Sequence, residues 1–114
     1  MTAKESKRVQ RRLDLWTGLV WLKPLKPDAL EGRAGAYTNI VTWATGTDEF
    51  RRNCDTIAAK MDLYVMEVEN VRLVSSLEAE GTLTEELEEM VVRAEGNPKA
   101  IIYGTFHMYP HEDA

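Results

Sequence analysis

A helical stripe held between two β-rich segments limits what this chain can become more than any other feature. Phe50, Cys54, Ile57, Ala58 and Met61 recur at i, i+4, i+7, i+8 and i+11 within TDEFRRNCDTIAAKM. That spacing places them on one face of a 3.6-residue helix, and the face must lie on something apolar. The flanking segments, AYTNIVTWATG and DLYVMEVENV, are rich in β-branched and aromatic residues and read as strands. Gly35 to Val71 is therefore a strand–helix–strand unit around which the rest is arranged.

A second helix follows. Thr82 and Glu85 have the spacing of a capping box, each side chain satisfying an amide at the helix start. Leu83, Leu87, Met90, Val91 and Ala94 form its apolar stripe, while Glu85, Glu86, Glu88, Glu89 and Glu95 line the opposite face. Gly96-Asn97-Pro98 stops it, since glycine tolerates the left-handed C′ position and proline cannot continue a helix. Val71 to Gly81 reads as a connection, with Leu73, Val74 and Leu77 packed beneath it.

The remaining apolar segments read as strands. Leu13 to Leu25 is the first, with Gly18 marking a bulge and Pro24 and Pro27 ending it. Residues 26–35 carry turn chemistry. In the second strand Tyr37, Asn39, Val41 and Trp43 share one face, and Thr38, Ile40, Thr42 and Ala44 the other. In the third, Leu63, Val65, Glu67 and Glu69 alternate with Tyr64, Met66, Val68 and Asn70, and the glutamates mark an edge. In the last, Ala100 to Tyr109, Ile101, Tyr103, Thr105, His107 and Tyr109 alternate with Ile102, Gly104, Phe106 and Met108. Its apolar side places it inside the sheet.

The order β-β-α-β-α-β predicts an α+β fold. The expected architecture is a two-layer sandwich, a four-stranded sheet with two helices on one face. It is similar to a ferredoxin-like plait, from which the extra leading strand departs. The likeness is architectural, and a fold of that kind assigns no function. Residues 1–12 are expected to form a mobile basic arm and residues 13–114 a single domain.

Charge separates the function classes. The net charge is −5. Residues 1–12 carry Lys4, Lys7, Arg8, Arg11 and Arg12 against Glu5, so the body is strongly acidic. Between Asp62 and Glu95 only Arg72 and Arg93 oppose a run of carboxylates. Such a body argues against nucleic-acid binding, which needs clustered Lys and Arg. The single cysteine, Cys54, lies on the apolar stripe and reads as a core residue. With no disulfide partner and no secretory segment, the expected location is the cytoplasm. The longest apolar run is short of the ~18 residues a membrane span requires.

With both helices on one face, the other face becomes the expected binding surface. The residues singled out there are Trp43, Glu67, Tyr103, His107 and Tyr109, accompanied by Tyr37 and Asn39. His107 and His111 stand about 13 Å apart on an extended strand, too far to share an ion, so no metal site is expected. No Gly-rich phosphate loop, HExxH or GxSxG is present, and neither a cofactor nor a catalytic residue is expected. The reading is a non-enzymatic protein–protein interaction module of immunity or inhibitor type, whose glutamates meet a cationic partner. The competing reading is a small-ligand-binding or catalytic dimeric plait using the same face. The expected partners are another protein or a second copy of the chain.

Overall fold

The computed structural model describes residues 12–109, Tyr109 by its backbone alone. The basic arm, apart from Arg12, and the tail bearing His111 lie outside the described residues. The chain runs β1 (Asp14–Pro24), β2 (Gly35–Ala44), α1 (Thr47–Lys60), β3 (Leu63–Leu73), α2 (Val74–Glu80), α3 (Glu85–Glu95), β4 (Ile101–Tyr103) and β5 (His107–Tyr109). The class is α+β, an open sheet with helices packed on it. α2 occupies part of what reads as a connection in sequence.

The sheet order is β3-β1-β2-β4, with β5 also on β2. Every neighbouring pair is antiparallel. β3 lies at one edge, as its glutamates suggested. The last segment lies at the other edge rather than inside, because β4 and β5 both pair with β2. The centre belongs to the β1–β2 hairpin. In β2, Ala36, Ile40, Val41 and Ala44 are all at most 1% exposed; Val41 points to the face opposite the other three, so this central strand is covered on both faces around Val41.

Two cores result, one on each side of β2. The α1 stripe of Phe50, Cys54 and Ala58 packs with Val20, Leu22, Ala36, Ile40 and Ala44. The α3 stripe of Met90, Val91 and Ala94 packs with Val41, and Leu15 and Ile102 join it. Successive strand residues point to opposite faces, and Ile40 and Val41 are successive. α1 therefore matches the expected layer of helix on sheet, whereas α3 lies across the reverse face. A stripe's periodicity shows that a helix needs an apolar bed, and here both faces offer one.

The caps also differ in detail. α1 starts at Gly46, where Glu49 turns back to accept the Thr45 N–H at 2.7 Å. The N-cap of α3 is Thr84, whose hydroxyl accepts the Leu87 N–H at 3.2 Å. Thr82 instead closes α2: its backbone N–H donates to the Leu77 carbonyl at 3.1 Å, just after the left-handed Gly81. This is the amide pairing of a helix C-terminus, and it removes Thr82 from the capping box the spacing suggested.

Three irregularities shape the sheet, one of them the extra residue Met66 between the pairs Trp21–Glu67 and Leu22–Val65. Opposite Gly18 the pairing of β1 with β3 slips, so Asn70 and Val71 face one residue. Asn70 takes a left-handed φ of 56° there, which Asn tolerates better than most residues. A Cβ on Gly18 would stand 3.1 Å from both the Phe50 ring and Val71. The last slip separates β4 from β5. Tyr103 pairs with Ile40, yet His107 pairs with Tyr37, so the edge segment carries one residue more than β2 over this span. A one-residue slip turns every later side chain to the other face.

Candidate functional site

Among the described residues, the helices cover only half of the reverse face of the sheet. α3 lies over the end containing Leu15, Val41 and Ile102. At the other end directly opposed residues form a row across four strands. Glu67 of β3 faces Trp21 of β1, Trp21 faces Tyr37 of β2, and Tyr37 faces His107 of β5. Residues opposite each other in an antiparallel sheet share a face. The next row holds Glu69, Leu19 and Asn39.

The rings pack along this row. Trp21 and Tyr37 have centroids 4.8 Å apart at 38°, and Tyr37 and His107 stack at 5.0 Å and 21°. These separations match the ~4.8 Å between neighbouring strands, so the rings stand side by side off the sheet and form a ledge. Trp21 and Tyr37 are half-buried, and His107 and Glu67 are exposed.

The β4–β5 bulge puts His107 on this ledge, and α3 holds the bulge in place. The Glu86 carboxylate accepts the Thr105 N–H at 2.8 Å. A Cβ on Gly104 would meet that carboxylate at 2.9 Å and Met90 Sδ at 3.1 Å, so a larger residue here would push the Glu86 carboxylate aside. The bond from the Thr105 amide holds the Glu86 carboxyl below its ordinary range, and His107 adds to the effect. Across the ledge the Glu67 carboxyl is pushed up, first by a hydrogen bond with Glu69 and then by the charge of Glu69. Two carboxylates two residues apart on one strand repel, and protonating one relieves the repulsion.

The five residues singled out in sequence are dispersed. Glu67 and His107 lie in one row of the uncovered half. Trp43 is under α3, its indole N–H donating to the Ala94 carbonyl at 2.8 Å. Tyr103 precedes the bulge, pairs with Ile40 and so shares the α1 face, where its ring meets Phe106 edge-on at 5.4 Å. Tyr109 follows the bulge opposite Gly35, described by its backbone only. Trp21 was missed, although its alternation with Leu19 and Lys23 places the three on one face. Glu86 was missed as well, because its role depends on a helix far away in sequence.

The rest of the molecule offers little chemistry. Cys54 is fully buried under α1, and burial pushes its thiol up to about 12, so the thiolate is absent at neutral pH. Among the described residues no group of His, Cys, Asp and Glu is arranged to hold a metal ion. Between the uncovered half and the helices runs a groove of about 360 Å³, floored by Thr17, Leu19 and Asn39 and walled by Arg72, Leu77 and Thr82. Arg72 in that wall is engaged by Glu80 at 2.6 Å. No helix among the described residues is long and apolar enough to cross a membrane. Comparison of the chain with protein-family models, curated proteins and solved structures finds no match.

Proposed function

We propose that this chain is a non-enzymatic protein-binding module, inhibitor- or immunity-like in kind, that engages its partner with the uncovered half of the reverse sheet face. The ledge of Trp21, Tyr37 and His107, with Glu67 at its end, supports this reading. Aromatic side chains offer large contact area at low entropic cost, and they are enriched at the centres of interfaces. The surface is a shelf rather than a cavity, which suits a protein better than a small molecule. Its side chains are set by backbone pairing across four strands, so it is preorganised.

The test is affinity capture of partners from the natural host, using the wild-type chain, Tyr37→Asp and Tyr103→Ala. Tyr103 serves as the control because it lies on the opposite face. A partner held by the wild type and by Tyr103→Ala but lost by Tyr37→Asp supports the reading. Equal retention by all three chains overturns it.

A further inference from the structure

We propose that the partner presents a basic segment, and that the row running from Glu67 across Trp21 to Tyr37 and His107, with Glu69 in the next row, seats an arginine or lysine side chain of that segment. This rests on the binding reading above and names the partner's chemistry.

The charges on the uncovered face carry the inference. Among the described residues the ion pairs are Lys26 with Asp62, Arg51 with Asp55, and Arg72 with Glu80. Glu67 and Glu69 enter none of them, and they sit side by side next to the aromatic row. Glu86 adds a third carboxylate by the bulge. Among the described strand residues the cations on this face are Lys23, opposite Tyr64 and beyond Trp21, and Arg72, which is held by Glu80. The carboxylates Glu67, Glu69 and Glu86 outnumber these two cations, so the described part of this face is negative around an apolar ledge.

A long cationic side chain matches that arrangement. Its methylene stem lies along ring edges while its head reaches a carboxylate. From Glu67 to His107 the row spans about three strand spacings, roughly 14 Å. A planar guanidinium can also bridge two carboxylates, which gives arginine an advantage over lysine. The outer face of α3 is acidic too, through Glu85, Glu88 and Glu89, but it carries no row of rings. It is the internal competitor for any basic probe.

The experiment titrates the isotope-labelled full chain with an oligo-arginine peptide and follows backbone amides by NMR. The expected result is shifts at Tyr37, Glu67, Glu69 and His107. The double variant Glu67→Gln/Glu69→Gln should then bind about tenfold more weakly, and raising salt from about 0.05 M to about 0.5 M should weaken the wild type further. Shifts confined to Glu85, Glu88 and Glu89 would overturn the inference. So would an unchanged affinity in the double variant, or no binding. If the peptide fails while Tyr37→Asp still abolishes capture of a natural partner, the binding face stands and only its cationic ligand is lost. If both fail, the face itself is excluded.

Discussion

Ile40 and Val41 are consecutive in β2 yet belong to separate cores. Ile40 packs beneath α1 with Phe50 and Cys54, and Val41 packs beneath α3 with Met90 and Val91. The sheet between them is one residue thick, so the molecule is stabilised by two apolar contacts that share a backbone but few side chains.

That separation predicts additivity. Ile40→Ala and Met90→Ala should each destabilise the fold by about 2–5 kcal/mol. Because the two side chains share no partners, the double variant should equal the sum of the singles within about 0.5 kcal/mol. Denaturant unfolding of the four proteins checks this. A coupling well above that would mean the cores communicate through the sheet.

Gly18 offers a sharper steric test. An added methyl would press on the Phe50 ring, which is fully buried, and on Val71. Gly18→Ala should cost about 1–3 kcal/mol by overpacking. Gly104→Ala should cost less, because the nearest atom there belongs to the Glu86 carboxylate, which can swing away. Thermal unfolding of both variants decides the order, and a neutral Gly18→Ala would show that α1 has room to move.

The two threonines before α3 should behave differently. Thr84→Ala removes the hydroxyl that accepts the Leu87 amide and should cost about 1 kcal/mol. Thr82→Ala removes an exposed hydroxyl 3.4 Å from the Leu77 carbonyl and should stay within about 0.5 kcal/mol. If the two losses were reversed in chemical denaturation, the cap would belong at Thr82.

The carboxyls around the ledge make opposite contributions to the pH dependence of stability. Glu67 is raised by Glu69. A raised carboxyl favours folding below its unfolded pKa, and that contribution disappears as pH rises through the folded value. Glu69→Gln should return the Glu67 titration toward its ordinary range and raise stability at neutral pH relative to acid. Glu86 is lowered by the Thr105 amide. Its contribution is present above the unfolded pKa and is lost as pH falls through the folded one. Glu86→Gln should flatten the acid limb. Carboxyl NMR titrations and unfolding between about pH 3 and about pH 7 read both effects, and unshifted titrations in the wild type would contradict them.

Much of the secondary structure could be read from the chain because its causes are local. The stripe Phe50–Cys54–Ala58 and the stripe Met90–Val91–Ala94 are helical by spacing alone, and both are buried. The alternation in β2 correctly separated Val41 from Ile40. The α+β class and the edge position of β3 follow from the same patterns.

What the pattern left open was decided by packing at long range. β2 is apolar on both sides, so either face could receive α3, and the position of α3 across the sheet halved the open surface and took Trp43 with it. One extra residue between β4 and β5 moved His107 to the face opposite Tyr103. Gly104 was the only local trace of that slip, and the bond that holds it comes from Glu86 on a helix. Periodicity shows which side chains must be sheltered. Which surface shelters them, and which side chains a bulge then turns to solvent, depends on contacts between segments that no local window contains.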